Sequence, residues 1–208
     1  MYIPEHFKEN DTQKLQQYIR DYSFGLLIIA DENGVEANHV PFHLECAEGE
    51  SLGTLQCHVS RKNTVWQRSI EGKRVLAVFQ GPNAYVSPSW YPTKAETGRV
   101  VPTWNYLAIH AEGNARAIED PAWLHRHLQQ LTEQQESGMD EPWSVEDAPT
   151  DYTDRLARAI VGIEIKIDVL TGKLKASQNL PERNRAGVKA GLEEVEEPHK
   201  RAMSEFID

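Results

Sequence analysis

The chain has 208 residues, and its 22 Lys and Arg against 32 Asp and Glu give a formal net charge of −10 at pH 7. With 39% hydrophobic and 26% charged residues, its composition is that of an ordinary globular protein. No apolar run is long enough for a transmembrane helix, and residues 1–10 do not have the pattern of a secretory signal. DNA-binding domains usually carry a basic face, so the acidic balance argues against autonomous DNA binding.

The predicted elements are many short strands that alternate irregularly with helices. Asp120 followed by Pro121 predicts a helix start with Asp120 as the N-cap. The prolines at 82, 88, 92 and 102 predict a largely irregular loop between residues 81 and 103. Strands are predicted at 24–30, 35–44, 52–59, 73–80, 104–118, 161–169 and 174–177, and helices at 11–22, 63–70, 150–159, from 121 and from 179.

This order of elements limits the fold classes that the chain can adopt. About seven strands without a regular strand–helix–strand alternation favour an antiparallel barrel with flanking helices. The sequence contains neither a G-x-G-x-x-G after a strand nor a P-loop motif, so neither of these nucleotide-binding folds is supported. We expect residues 1–195 to form a single domain and residues 196–208 to form a polar, solvated tail.

The cysteines and histidines predict neither disulfides nor a metal site. Cys46 and Cys57 are too few for a disulfide framework and do not form a C-x-x-C motif, so we expect a reduced, cytoplasmic protein. His39 and His43 fall in a predicted strand with Pro41 between them, and such a pair does not converge on one metal ion.

The first candidate site is the segment 58–63, where a predicted strand ends and a helix begins. The Ser60 hydroxyl, the Arg61 guanidinium and the N–H groups of a helix start are the groups that bind a phosphomonoester. The alternative is an ordinary junction in which a Ser or Asn caps the helix and the basic side chains are merely exposed.

Two further segments are rich in aromatic or polar side chains. The loop from Tyr85 to Tyr106 predicts a wall for a flat heteroaromatic ligand or a subunit interface, or else a loop that packs on its own barrel. Lys175, Ser177 and Asn179 alternate along a strand end and would project to one side, where they could bind an anion or a polar edge. The alternative is a solvent-facing strand end in which Asn179 caps the last helix.

Several motifs together resemble the PaiB family, a branch of the split-barrel proteins related to the pyridoxamine-phosphate-oxidase-like flavoproteins. The resemblance spans residues 1–195, and Thr64 departs from it, since relatives commonly have Pro there. The motifs are Met1-Tyr2-Ile3-Pro4, Asn38-His39-Val40-Pro41-Phe42, Gly53-Thr54-Leu55, Tyr85-Val86-Ser87-Pro88-Ser89-Trp90-Tyr91, Pro102-Thr103-Trp104-Asn105-Tyr106 and Lys175-x-Ser177-Gln178-Asn179.

The resemblance implies a six-stranded antiparallel FMN-binding split barrel, a homodimer with FMN in the cleft between subunits, and negative regulation of transcription. It implies three groups of cofactor-binding residues: one at the FMN phosphate, one near the flavin, and one that closes the site. These groups are, in that order, His58, Ser60, Arg61 and Asn63; Trp104, Asn105 and Tyr106; and Lys175, Ser177 and Gln178.

Three functions stay open at this point. The first is a dimeric FMN-binding regulator without its own DNA-reading element, because the sequence shows no helix-turn-helix and no basic recognition helix. The second is a flavin-dependent oxidoreductase that acts on an unknown small molecule. The third is a split-barrel interaction protein that has kept the fold without the flavin.

Overall fold

The computed structural model describes residues 1–46, 52–69 and 72–207, so the predicted helix end at Ile70 and the terminal Asp208 lie outside the described residues. The strands are β1 (Lys8–Glu9), β2 (Phe24–Asp31), β3 (Gly34–Pro41), β4 (His43–Glu45), β5 (Thr54–Ser60), β6 (Arg74–Val86), β7 (Thr103–Ile118) and β8 (Ile160–Lys175). The helices are α1 (Thr12–Asp21), α2 (Val65–Ser69), α3 (Thr93–Thr97), α4 (Pro121–Glu136), α5 (Thr150–Ala157), α6 (Glu182–Glu193) and α7 (Pro198–Arg201), with 3-10 turns at Glu5–Phe7, Pro88–Trp90, Val145–Asp147 and Ala202–Phe206.

The prediction of a mainly β, antiparallel protein with flanking helices is confirmed, but the prediction of a six-stranded barrel is wrong. In the described part of the chain the sheet has eight strands in the order β3-β2-β6-β7-β8-β5-β4, with β1 paired to β8. The pairs β2–β3, β2–β6, β4–β5, β5–β8 and β1–β8 are antiparallel. The path ends at β3 and β4, so the sheet is not closed.

The sheet has more strands than predicted because the predicted strand at 35–44 is divided at Phe42 into β3 and β4, and because β1 was not predicted. Two of the strands also run through positions that usually break them. β6 continues past Pro82 to Val86, although proline was expected to start a loop. Its pairing with β2 ends at Val78, so Pro82 removes no hydrogen bond of that ladder. β8 likewise runs without interruption from Ile160 to Lys175, across the gap between the strands predicted at 161–169 and 174–177.

The chain divides into two compact units. Unit 1 consists of Met1–Asp11, Gln80–Ile109 and Thr171–Asp208, and unit 2 consists of Thr12–Phe79 and His110–Leu170. The core of unit 1 packs α6 and the chain end against parts of β6 and β8. Its buried members are Ala84, Val86, Tyr91, Ala176, Val188, Leu192, Met203 and Ile207.

The C-terminal segment contributes to this core, although the sequence predicts a solvated tail at 196–208. Pro198–Arg201 is helical and Ala202–Phe206 forms a 3-10 turn. Met203 and Ile207 are both almost fully buried. Two apolar side chains in a polar stretch were therefore enough to anchor the segment.

The core of unit 2 lies between the strands and α4. Leu55 and Cys57 of β5 and Ile163 and Ile165 of β8 are fully buried. Helix α4 begins as predicted, because the Asp120 carboxylate accepts hydrogen bonds from the N–H groups of Ala122 and Trp123.

Candidate functional site

The first group of predicted site residues lies in unit 2, where β5 ends in Ser60 and the chain continues into Arg61 and Lys62, a segment called here the β5 end. The Arg61 guanidinium donates from Nε to the Arg158 carbonyl (3.1 Å) and from Nη2 to the Ile160 carbonyl (3.2 Å). Its Nη1 forms an ion pair with Glu119. The two carbonyl contacts fix the plane of the guanidinium at the surface.

The rest of the β5 end is exposed and locally braced. Ser60 and Lys62 are exposed, and Ser60 Oγ accepts from the Lys62 N–H at 3.3 Å, which leaves the hydroxyl hydrogen available to another acceptor. The Trp66 indole N–H donates to the Arg61 carbonyl at 3.0 Å and holds the turn. A hydroxyl and two cations at one strand end are a donor set that suits a phosphate.

Asn63 acts as the cap of α2. Its Oδ1 accepts from the Val65 N–H at 3.0 Å, and its Nδ2 donates to Asn38 Oδ1 at 2.7 Å. Helix α2 has only five residues, so its N-terminus makes a negligible contribution to anion binding. The phosphate hypothesis therefore depends on side chains rather than on the helix.

His58 points toward α4. Its Nδ1 lies 3.0 Å from Nε2 of His127, whose ring stacks on Trp123 with the centroids 5.1 Å apart. His127 is almost fully buried, and its Nδ1 has no partner among the described residues. Burial, together with the neighbouring His58 and His43, lowers the pKa of His127 to about 3, and burial also lowers the pKa of His58.

The second group of predicted residues lies in unit 1, around a cavity of about 450 Å³ called here the unit 1 cavity. That volume is in the range of small-molecule sites. The lining residues are Phe7, Tyr91, Arg99, Val100, Val101, Thr103, Asn105, Lys175, Ser177, Asn179, Leu180, Pro181 and Asn184.

Two buried side-chain amides of the unit 1 cavity are only half satisfied. Asn105, which is fully buried, donates from Nδ2 to Ser177 Oγ at 2.8 Å. Asn184, 5% exposed, donates from Nδ2 to Thr93 Oγ1 at 3.0 Å. The Oδ1 atom of each accepts no hydrogen bond within the part of the chain that the structure describes. Buried acceptors are rarely left in this state.

Lys175 supplies positive charge to the same cavity. Its Nζ donates to Thr103 Oγ1 and to the Trp104 carbonyl, and it lies 5.7 Å from the centroid of the Phe7 ring. Burial, with a smaller effect of Lys173, lowers the pKa of Lys175 from its usual value. Arg99 adds an exposed guanidinium to the lining.

Ser177 and Gln178 shape the strand end that borders the cavity. Ser177 has a φ of 66°, a left-handed conformation that is uncommon outside glycine, and it is the one such case among the described residues other than glycine. Gln178 turns back on its own chain: its Oε1 accepts from the Ala176 N–H and its Nε2 donates to the Leu174 carbonyl, both at 2.7 Å.

The predicted aromatic residues do not share one environment. Trp104 is 51% exposed and meets Tyr85, itself 45% exposed, in an edge-to-face arrangement with the centroids 6.2 Å apart. Tyr106 lies beneath Lys173, whose Nζ is 5.2 Å from the ring centroid. The first pair forms an exposed aromatic surface, and Tyr106 forms a cation–π contact.

Sequence reasoning missed Arg99, His127 and Asn184. One signal for Asn184 was available: it stands four residues before Val188 and eight before Leu192, so it belongs to the buried face of α6. A polar residue on an apolar face is the pattern that marks a buried hydrogen-bonding group. No comparable signal marks Arg99, which lies in a loop.

The described ranges support neither a metal site nor a membrane-spanning helix. Within 1–46, 52–69 and 72–207, no group of three or more His, Cys, Asp or Glu side chains is placed to hold a metal ion. None of the helices in those ranges is both long and apolar enough to cross a bilayer.

The fold is shared with solved proteins of low sequence identity. A conserved hypothetical protein from Mycobacterium tuberculosis matches with a TM-score of 0.61 at 13% identity, over 88% of this chain and 95% of that chain. This likeness defines the class as an antiparallel β protein with flanking helices.

The sequence comparisons define the family. The family model described as "Putative FMN-binding domain" matches residues 1–169. An uncharacterized protein from Emericella nidulans is 34% identical over 94% of this chain and 91% of its own length. The protease synthase and sporulation protein PAI 2 of Bacillus subtilis is 29% identical over 100% of this chain and 97% of its own. The chain therefore belongs to this FMN-binding family, the PaiB family that its motifs resemble, and FMN is the cofactor that the family assigns to it.

Proposed function

We propose that this protein is an FMN-binding regulator that binds the cofactor phosphate at the β5 end. Family membership supports FMN as the ligand. The single structural observation that carries the site is the Arg61 guanidinium, which is exposed and held in place by the Arg158 and Ile160 carbonyls. Ser60 and Lys62 add a hydroxyl and a second cation beside it.

Arg61 is oriented before any phosphate arrives. A guanidinium carries more N–H donors than its contacts with the two carbonyls and Glu119 use, so donors remain for phosphate oxygens. A side chain already fixed in one conformer loses little rotamer entropy on binding. The Glu119 carboxylate is exposed and competes for the same charge, so its ion pair would open as the phosphate binds.

His58 and Asn63 have positioning roles in this proposal. His58 is hydrogen-bonded to His127, and Asn63 caps α2. Both contacts hold the strand end and the following turn. The roles of Trp104, Tyr106 and Gln178 at the flavin stay predictions. For Asn105, Lys175 and Ser177, which line the unit 1 cavity, the predicted flavin role competes with a role in binding a second ligand.

We also propose that the regulator is a cytoplasmic homodimer that does not read DNA by itself. The exposed Tyr85–Trp104 pair and the 73% exposed Val101 give unit 1 an apolar surface of the kind that aromatic-rich interfaces use. The net charge of −10 disfavours a nucleic-acid partner. Regulation would then pass through another protein or through a small molecule.

Flavin-dependent oxidoreduction is the second candidate. FMN, when bound, supplies redox chemistry that the side chains lack, while the protein binds and orients the substrate. The unit 1 cavity favours this candidate because it offers polar and apolar walls at small-molecule size. A steady-state test with a reduced nicotinamide cofactor distinguishes the two, since only the oxidoreductase oxidises it catalytically.

The proposed function is tested by titrating the purified protein with FMN, following flavin fluorescence, and by measuring its mass by sedimentation. We expect saturable binding and a dimer. The Trp104→Ala substitution, with Trp143→Ala as a control at another exposed tryptophan, is expected to weaken the dimer. A wild-type monomer would contradict the dimer, and a lack of saturable FMN binding would contradict the flavin site.

A further inference from the structure

We infer that the unit 1 cavity binds a small organic anion, other than FMN, that also carries N–H or O–H donors. The inference rests on the proposed function, which places the FMN phosphate at the β5 end, and none of the β5-end residues lines this cavity. We therefore assign the cavity, with Asn105, Lys175 and Ser177, to a ligand of its own rather than to the flavin. Its charge, its unpaired acceptors and its strained strand end define what that occupant is.

The charge of the lining selects an anion. In a chain with a net charge of −10, the described residues that line this cavity include two cations, Arg99 and Lys175, and no carboxylate. Helix α6 begins at the cavity after Pro181, which offers no side-chain cap to the first N–H groups. The positive end of a twelve-residue helix adds to the attraction for a carboxylate or phosphate.

The unpaired acceptors select hydrogen-bond donors. Asn105 and Asn184 both line the cavity, and each uses its Nδ2 but finds no donor for its Oδ1 among the residues that the structure describes. A buried acceptor without a partner costs about 1–3 kcal/mol, and a donor of the ligand removes that cost. Among simple inorganic anions, dihydrogen phosphate also carries two O–H donors, but it would leave the apolar lining of Phe7, Val100 and Leu180 without a contact, so the ligand is organic.

The backbone of Ser177 is the third observation. Its φ of 66° places a β-carbon in the left-handed region, and its hydroxyl accepts from Asn105. Strain of this kind costs about 1–3 kcal/mol and clusters at ligand sites. The Ser177 hydroxyl accepts from Nδ2 of Asn105, so that amide's Oδ1 is the atom left for a ligand donor.

The remaining lining supplies contact area for the body of the ligand. Phe7 and Tyr91 contribute aromatic rings, and Val100 and Leu180 contribute aliphatic side chains. A planar, weakly polar body with an anionic edge and ring N–H groups satisfies every part of this lining.

Three planar probes separate these requirements in a calorimetric titration. Orotate carries a carboxylate and ring N–H donors, benzoate carries the carboxylate alone, and uracil carries the N–H donors alone. We expect orotate to bind at least about tenfold more tightly than either of the others, because each missing feature leaves a cation or an acceptor unpaired. Equal affinity for orotate and benzoate, or no binding of orotate, would overturn the inference.

The same titration on FMN-saturated protein keeps this site separate from the proposed flavin site. We expect orotate affinity to stay within about twofold when FMN is saturating. Loss of orotate binding in saturating FMN would show that FMN occupies the cavity and would overturn the inference. A protein that binds orotate but no FMN would instead contradict the proposed function alone.

Two variants locate the orotate site. Lys175→Met keeps the length of the side chain but removes the charge, and its matched control is Lys173→Met, whose ammonium donates to the Tyr2 carbonyl and is not part of the lining. Asn184→Leu removes one acceptor. We expect Lys175→Met and Asn184→Leu each to lower orotate affinity by about tenfold or more, and Lys173→Met to leave it unchanged. Equal effects of the two lysine variants would contradict the site.

Discussion

The β5 end and the unit 1 cavity both gather polar side chains, but they leave those side chains in different states. At the β5 end, Asn63 uses both ends of its amide and Arg61 is held by main-chain carbonyls. In the cavity, Asn105 and Asn184 each have a buried oxygen that accepts from no donor in the described part of the chain. A polar group that is already hydrogen-bonded stabilises the fold, whereas an unpaired buried acceptor gains a hydrogen bond only when a ligand with a donor binds.

The difference indicates two kinds of binding. An exposed, oriented guanidinium selects a charged group such as a phosphate and leaves the rest of the ligand in contact with water. A cavity with unpaired buried acceptors is selective for the hydrogen-bonding pattern of its ligand, because a ligand without donors leaves those acceptors unsatisfied. The β5 end thus recognises charge, and the unit 1 cavity recognises charge together with donors.

The largest expected effect concerns the buried His58–His127 pair behind the β5 end. The pKa of His127 falls from 6.5 to about 3 on folding, and the pKa of His58 is also lowered, so the unfolded chain binds more protons below pH 6.5. Stability is therefore full above pH 6.5 and declines as the pH falls. At about pH 4.5 His127 alone removes about 3 kcal/mol. Urea unfolding at a series of pH values measures this loss.

The control for the acid effect is His125, which lies on the same helix and is paired with Asp154 at 3.0 Å. We expect His127→Gln to flatten the decline between pH 6.5 and about 4.5, and His125→Gln to leave it unchanged. The same slope in the His127 variant and the wild type would show that this pair is not the source of the acid sensitivity.

A second effect tests how closely Trp123 of α4, the helix that also carries His127, packs against Gly162 of β8. A Cβ on Gly162 would lie 2.2 Å from Cζ3 of Trp123, so Gly162→Ala forces the indole away from the sheet. We expect a loss of about 2 kcal/mol in the free energy of unfolding, with Gly138→Ala, which meets no atom within 4 Å, as the control. Equal unfolding midpoints for the two variants would contradict this packing.

A smaller effect compares the two amides directly. Asn63→Ala removes a helix cap and a side-chain bond, and we expect it to cost about 1 kcal/mol. Asn184→Leu removes one hydrogen bond but also one unpaired acceptor, so its cost in the ligand-free protein is expected to be smaller. If Asn184→Leu proves the more destabilising, the buried oxygen is satisfied in solution.

The smallest effect is expected with DNA. Arg61 and Lys62 form a short basic pair in a chain of net charge −10, which is too few cations for stable binding to a duplex. We expect no mobility shift at physiological salt, and at most a weak, sequence-independent shift at low salt. A shift that survives physiological salt and depends on sequence would overturn the proposal that the protein does not read DNA.

Parts of the sheet and the start of α4 could be predicted from the sequence, because their signals are local. In β8, Val161, Ile163, Ile165, Ile167 and Val169 alternate with polar residues or glycine, and this pattern predicts one buried face. The structure confirms it for the first four, whereas Val169 is 39% exposed. Asp120 before Pro121 likewise predicts the cap that α4 has. Both patterns depend only on neighbours in the chain.

The cavity could be predicted only in part, because its members come from distant segments. Lys175 and Ser177 were expected to share a side, and both line it. The Asn184–Thr93 bond joins residues 91 positions apart, and no local pattern specifies such a partner. The same holds for the His58–His127 pair, which are 69 positions apart. Long-range pairing of polar groups depends on tertiary packing that a single sequence does not reveal.

The most direct test of the β5 end compares FMN with riboflavin, which lacks only the phosphate, in the wild type and in Arg61→Ala. We predict that the wild type binds FMN about tenfold to a hundredfold more tightly than riboflavin, since a charge-assisted bond contributes about 1.5–3 kcal/mol. The preference should disappear in Arg61→Ala and persist in Arg155→Ala, which removes an arginine stacked on Tyr152. An undiminished preference for FMN in Arg61→Ala would contradict the assignment of the phosphate to this strand end.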